Sequence, residues 1–264
     1  MLTELASSHI ERYARQILLP EIGGAGQLRL LNARVVVLGA GGLGSAAALY
    51  LAAAGVGHLI IADHDRVELS NLQRQILHTT ERVGQTKTAS ARQAIAALNP
   101  EVQVTLCTER ILQEGVDALV QQGDLVVDGS DNFASRYLLN QACFLAKKPL
   151  VSAAVLGFEG QLTTFRHGVD ATAPCYRCLY PHPPAPGSTP TCRSAGVLGA
   201  LTGILGAWQA AEAIKELLGV GETLAGSLLL LNVLHGQWQR IRFAKNPACP
   251  LCASPNAIGE RHVP

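Results

Sequence analysis

Charge is scarce in this chain. Charged residues are 16% of its 264 positions, against about 25% in an ordinary soluble domain. Lys and Arg number 21 and Asp and Glu 20, so the net charge is +1. A chain this close to neutral has no general electrostatic case for binding nucleic acid or an anionic membrane surface. Long apolar runs are missing too. None reaches the ~18 uninterrupted residues of a membrane span. The nearest, 195–208, is broken by glycines and Thr202 and runs into Gln209, Glu212, Lys215 and Glu216. The first residues carry Glu4 and Glu11 and lack the basic-then-apolar order of a secretory signal. A cytoplasmic location is therefore expected. Seven cysteines are too few for a disulfide scaffold, and no internal repeat is visible. With 48% hydrophobic residues the chain is not disordered. It is long enough for a real core, with apolar surface left for a subunit interface.

Short β-branched runs alternate with Ala- and Leu-rich stretches. Strands are expected at 34–38, 58–62, 102–106, 124–128 and 149–155. Helices are expected at 3–19, 42–54, 86–98, 114–121 and 133–146, and Gly23, Gly24 and Gly26 read as a loop. This alternation predicts parallel βαβ units in a doubly wound α/β sheet. From about residue 157 the pattern changes. Residues 161–165, 227–233 and 237–243 read as antiparallel strands, with a helix over 195–218. The proline-rich stretch 181–190 is excluded from regular structure. The second half is expected to extend the first sheet within one domain over 1–264, with a nucleotide-binding half, 8–170, and a second half, 171–252.

Gly39-Ala-Gly41-Gly42-Leu-Gly44 closes a strand and opens a helix, in the G-x-G-x-x-G spacing. Such glycines permit a tight turn and a close approach of backbone to an anion, and free N–H groups at the helix start face it. Asp63 ends the next strand, where a carboxylate meets ribose hydroxyls. The pattern leaves NAD, FAD and ATP open, and a turn used only for packing remains the bland alternative. Asn71, Arg74 and Lys87 follow. Cations there suit the β- and γ-phosphates of a triphosphate, although solvated surface charges would read the same. Asp128, Asp131 and Asn132 end another inner strand. A carboxylate there suits Mg²⁺ held through phosphates, or caps the helix starting near 133.

Cys175-x-x-Cys178 and Cys249-x-x-Cys252 are two knuckles whose four thiolates predict a closed structural zinc site. Redox pairs or disulfides are the alternatives, and Pro250 argues against the former. Cys107 and Cys143 read as buried and inert. Cys192 stands between the proline-rich stretch and a helix start, beside Arg193. That setting lowers a thiol pKa, so a reactive thiol is set against an idle loop cysteine. His64, His78, His167 and His235 acquire no role.

Taken in order, Arg12-Tyr-Ala-Arg15-Gln16, the glycine turn, Asp63-His-Asp65, Ser70-Asn-Leu-Gln-Arg-Gln75, Lys87, Asp131-Asn132 and the paired knuckles resemble the ThiF/MoeB/HesA family, bacterial relatives of ubiquitin-activating E1 enzymes. The likeness spans about residues 8–252. It implies a Rossmann-like adenylation domain, usually homodimeric, that uses ATP and Mg²⁺ and carries a structural Zn²⁺. The implied partner is a ubiquitin-like sulfur carrier whose C-terminal Gly-Gly carboxylate becomes an acyl-adenylate. Carried over by motif, the nucleotide set is Gly39, Gly41, Gly42, Gly44, Asp63, Asp65, Ser70, Asn71, Arg74, Gln75, Lys87, Asp131 and Asn132. Within it Asp63 holds ribose, Asn71, Arg74 and Lys87 meet phosphates, and Asp131 carries Mg²⁺. Arg15 matches an arginine that reaches the partner subunit's ATP, and Cys192 a cysteine that bonds to the carrier during sulfur transfer. The spellings at 76–81, 156–161, 175–181 and 192–199 resemble the thiamine (ThiF) branch more than the molybdopterin (MoeB) branch. Only 12 residues follow Cys252, so no fused rhodanese domain is expected and sulfur is expected from a separate donor protein. An NAD-dependent oxidoreductase and a non-catalytic, zinc-stapled carrier-binding scaffold are the competing readings.

Overall fold

The computed structural model describes residues 2–185 and 195–253. Its centre is one sheet of eight strands in the order β3-β2-β1-β4-β5-β6-β7-β8. The strands are β1 (Arg34–Leu38), β2 (His58–Ala62), β3 (Gln103–Cys107), β4 (Leu125–Asp128), β5 (Leu150–Leu156), β6 (Glu159–Phe165), β7 (Ser227–Asn232) and β8 (Gln237–Arg242). β1 to β5 pair in parallel. β6, β7 and β8 continue the sheet antiparallel. The expected doubly wound arrangement with an antiparallel extension is thus present.

The parallel strands are crossed over by α4 (Gly42–Ala53), α5 (Lys87–Leu98), α6 (Gln113–Gln121) and α7 (Phe133–Ala146). Both faces of the sheet are covered at its centre, so β1, β2 and β4 are buried and mostly apolar rather than alternating, whereas the edge strand β8 is exposed along its length. Val35 and Val37 pack with α4 and the long α9 (Gly199–Leu218) on one side, and Val36 and Leu38 with α6 and α7 on the other. Small residues bring α4 and α9 together: a Cβ on Gly206 would overlap the Leu43 carbonyl oxygen. The short α8 (Tyr176–Leu179), which packs on α7, carries the first cysteine knuckle. No helix among the described residues is long and apolar enough to cross a membrane.

Two expectations at the N-terminal end are corrected. The helix foreseen over 3–19 is two short ones, α1 (Ser7–Arg12) and α2 (Ala14–Ile17), parted at Tyr13. Tyr13 is buried, accepts a 2.8 Å hydrogen bond from Asn99 Nδ2, and fills the space beside Gly55, where a Cβ would lie 2.6 Å from its ring. The foreseen glycine loop is instead the start of a helix, α3 (Gly23–Asn32). Glycine is a poor helix former, but tertiary contacts override propensity here. Gln27 is fully buried and bonds the Ala54 carbonyl, and Arg29 donates to the carbonyls of Leu217 and Leu218 at the end of α9.

Candidate active site

In an open parallel sheet, ligands bind at the carboxyl ends of the strands where the order reverses. Here that point lies between β1 and β4. A cavity of about 490 Å³ opens there. Gly39, Gly41, Gly42, Asp63, Asp65, Arg74, Gln75, Lys87, Asp131 and Asn132 line it. These ten come from five separate stretches of sequence, and the chain topology brings them together.

Each glycine of the turn has its own cause. Gly39 has φ +90°, and a Cβ on it would lie 2.7 Å from the Gly129 carbonyl oxygen. A side chain on Gly44 would overlap the Gly39 carbonyl oxygen, and one on Gly42 would come 2.8 Å from Thr202 Oγ1. These three pack protein against protein. Only Gly41 leaves room for a ligand: a Cβ there would meet nothing nearer than Gln75 Nε2 at 3.9 Å. Gly41 is also the uncapped start of α4, whose first N–H groups form an anion-seeking helix end.

Asp63 accepts from the Ala40 N–H and the Asp65 N–H, both at 2.8 Å, which locks its carboxylate at the end of β2. Lys87 begins α5 and is buried, with Nζ 2.8 Å from Asp65 Oδ2 and 3.9 Å from Asp63 Oδ2. A buried ammonium needs such partners. Thr86 caps the same helix through the Ala89 N–H, so the cation is held at a fixed helix start. Asp63, His64 and Asp65 cluster as a metal site would, but the Lys87 ammonium already lies against both carboxylates. Arg74 is anchored by Nη1 to the Ser70 carbonyl at 3.1 Å.

Asn132, not Asp131, caps α7: its Oδ1 accepts from the Ser135 N–H at 2.9 Å. The capping alternative for Asp131 therefore falls, and its carboxylate is exposed at the cavity. Asp128 is structural. It is fully buried, with Oδ1 bonded to the Ser130 N–H and Oδ2 to Ser152 Oγ.

Ser70 and Asn71 do not line the cavity. Both serve the turn at Leu69–Asn71: Asn71 Oδ1 accepts from the Glu68 N–H at 3.1 Å and Ser70 Oγ donates to Glu68. Arg15, on α2, is exposed and also outside it. Cys192 lies outside the described residues. Cys143 is buried as expected, and burial pushes its thiol up. Cys107 is only half-buried and shifts the same way. Two residues at the site escaped sequence reasoning, Arg136 in the cavity wall and His78 just outside it. Arg136 is buried, bonded to the Ser130 carbonyl and set over the Phe133 ring. His78 holds the glycine turn from behind. Neither stands in a motif of its own, so no local signal marked them.

The four cysteine sulfurs of the knuckles gather at one place. Cys175 and Cys249 are 3.5 Å apart, Cys178 and Cys252 3.4 Å, and all four lie within 4.8 Å of one another. Zn–S bonds of about 2.3 Å in a tetrahedron require S···S near 3.8 Å, so this soft donor set fits zinc. Bonds from the neighbouring thiols, Cys175 first, pull Cys252 down to about 5. The bond to Cys252, burial and the crowding of sulfurs push Cys175 up, and burial pushes Cys178 to about 11. Four thiolates cannot ionise together here without a cation. The cluster joins the segment after β6 to that after β8, and Tyr176 between the first pair packs edge-on against Tyr137 of α7.

Comparison with known proteins agrees with this geometry. The ThiF family model matches residues 13–251. The chain is 48% identical over 245 residues to a sulfur carrier protein adenylyltransferase of Thermus thermophilus, covering 92% of this chain and 90% of that one. It is 48% identical to the adenylyltransferase and sulfurtransferase MOCS3 of Culex quinquefasciatus, over 96% of this chain but only 57% of that longer protein. Among solved structures, Escherichia coli MccB superposes with a TM-score of 0.81 at 24% identity, covering 95% of this chain and 74% of that one, a likeness of fold. The chain belongs to the ThiF family.

Proposed function

We propose that the chain is an ATP-dependent adenylyltransferase that activates the C-terminal carboxylate of a ubiquitin-like sulfur carrier ending in Gly-Gly. One observation carries this: Gly41, Asp63, Arg74, Lys87 and Asp131 line a single cavity in a chain 48% identical to a protein named for that activity. A carboxylate oxygen of the carrier attacks the α-phosphorus. The bond from that phosphorus to the bridging oxygen breaks, and pyrophosphate leaves with the electron pair. The nucleophile is already ionised, so no general base is needed. The protein has to align the reactants and offset phosphate charge. Asp63 receives the ribose hydroxyls, Arg74 and Lys87 meet the phosphates, and Asp131 would hold Mg²⁺ with phosphate oxygens completing its shell. Lys87 would exchange its Asp65 contact for phosphate at little cost, since Asp65 is half exposed.

Zinc in the Cys175, Cys178, Cys249 and Cys252 cluster has a structural role, because four protein ligands leave it no open position. Arg15, exposed on α2, reaches the cavity of a second subunit in a homodimer. Cys192 takes part in sulfur transfer through a covalent link to the carrier, with sulfur from a separate donor protein. The carrier is assigned to the thiamine branch on the spellings at 76–81, 156–161, 175–181 and 192–199.

ATP–pyrophosphate exchange with a panel of purified carriers tests the reading, with a clipped-tail carrier as control. Exchange that requires one intact carrier establishes the reaction. If a MoaD-like carrier supports it and a ThiS-like one does not, the branch is molybdopterin synthesis. Folded, metal-loaded protein that exchanges with no carrier would overturn the proposal.

A further inference from the structure

His78 lies just outside the cavity, between the turns at Leu69–Asn71 and Thr80–Arg82, and is buried. Its Nε2 is 2.9 Å from the Ala40 carbonyl oxygen and its Nδ1 2.9 Å from Ser90 Oγ. A carbonyl only accepts, so Nε2 carries the proton and donates. In the neutral ring Nδ1 then accepts from the Ser90 hydroxyl.

Ala40 is held at its other end as well. Its N–H donates to Asp63 Oδ2 at 2.8 Å. Two consecutive peptide planes of the glycine turn are therefore fixed, one by Asp63 and the next by His78. No peptide bond among the described residues is cis. In a trans peptide the N–H points opposite to the C=O. With the Ala40 carbonyl held toward His78, the Gly41 N–H is turned away from it. Gly41 lines the cavity, and its N–H has no acceptor among the described residues.

We infer that His78 is a positioning residue for the nucleotide: it aims the Gly41 N–H into the cavity as a preorganised donor to a phosphate oxygen. The inference rests on the nucleotide reading proposed above. A glycine peptide rotates easily, so an unheld Ala40–Gly41 plane would have to be ordered at each binding event. A donor fixed beforehand avoids that reorganisation.

Three substitutions test it. His78→Leu removes the donor. His78→Gln keeps an N–H able to reach the Ala40 carbonyl. Ser90→Ala releases only the far side of the ring. ATP binding is titrated by calorimetry, and the KM values for ATP and carrier are measured in the exchange reaction. The loss of one such hydrogen bond corresponds to roughly a tenfold change. His78→Leu is expected to weaken ATP binding about tenfold and leave the carrier KM unchanged. Ser90→Ala is expected to act in the same direction, less strongly. His78→Gln should recover most of what His78→Leu loses. Folded His78→Leu with ATP affinity equal to the unsubstituted protein would overturn the inference. So would Leu and Gln variants impaired alike, which would reduce His78 to packing. If the Leu variant does not fold, a folded His78→Gln protein that has lost ATP binding overturns it, and one that retains binding supports it. If the unsubstituted protein itself binds no ATP, the nucleotide reading fails first and takes this inference with it.

Discussion

Asn132 Oδ1 accepts the Ser135 N–H at 2.9 Å and so closes the start of α7. This leaves the neighbouring Asp131 carboxylate at the cavity with no capping duty. Asp131→Ala should then remove activity without removing stability. The expected result is loss of pyrophosphate exchange by several orders of magnitude with a melting temperature within about 2 °C of the unsubstituted protein, since surface substitutions fall within about 0.5 kcal/mol. Asn132→Ala is expected to do the reverse in stability, costing about 1 kcal/mol for the lost cap. A melting-temperature loss confined to Asp131→Ala would reverse the assignment. Arg74→Ala should behave like Asp131→Ala.

Gly41 and Gly44 are separable. A Cβ on Gly44 has to displace the Gly39 carbonyl, so Gly44→Ala should cost more than about 3 kcal/mol or abolish folding. Gly41 has an ordinary extended conformation, φ −83° and ψ −153°, and open space before it. Gly41→Ala should therefore fold normally and lose nucleotide affinity, because the methyl group enters the cavity. Chemical denaturation read beside ATP titration distinguishes the two.

Lys87 supports the fold as well as the site. Truncation to Ala removes the ammonium that lies against both the Asp63 and Asp65 carboxylates. Asp65 is half exposed, so solvent screens part of the cost. A loss of about 1–3 kcal/mol is expected, together with loss of exchange activity. Unchanged stability in a urea titration would show that solvent alone compensates the pair.

The cysteine cluster predicts close to one zinc per chain by atomic emission. Cys249→Ser should release the metal and lower the melting temperature. The staple joins segments 71 residues apart, Cys178 to Cys249, and metal binding free energy adds directly to folding. Metal-free, reduced protein that melts with the unsubstituted protein would deny the cluster a structural role.

His167 predicts an acid limb of stability. Burial holds its imidazole neutral and lowers its pKa to about 4, while it stacks on Phe144 with 5.2 Å between ring centroids. Its proton affinity is lower folded than unfolded. It therefore costs nothing above the unfolded pKa of about 6.5. Stability is lost as pH falls from about 6.5 to about 4, by roughly 3 kcal/mol in all. His167→Gln keeps a donor for the Asn140 carbonyl without the titration. Its melting temperature should fall less steeply over that window, and parallel curves would exclude His167 as the cause.

The inner strands were readable because each is a β-branched or apolar run ended by a polar or glycine residue, as in 34–38 and 58–62, and both sheet faces are buried. The helix over Phe133–Ala146 was readable to the residue, since a cap precedes it and Lys147 leaves the helix in the left-handed region. The N-terminal segment was not readable to that accuracy. Whether Gly23–Asn32 is helical depends on Gln27 and Arg29 finding partners far along the chain, and whether 3–19 is continuous depends on where Tyr13 is buried. The roles of Ser70 and Asn71 are likewise decided by a local turn that uses their side chains.

By itself, then, the order of residues determined the parallel βαβ frame, the glycine turn, the acid that follows it and the four thiols. These depend on local periodicity and on residue chemistry, which adjacent positions carry. Only the tertiary structure decided which groups share the cavity. It made Gly41 the open glycine, freed Asp131 by giving its cap to Asn132, drew Lys87 against Asp65 and set His78 behind Ala40. Each of those contacts joins groups on different loops or helices. Packing of the whole sheet sets their separations, and sequence distance does not encode it.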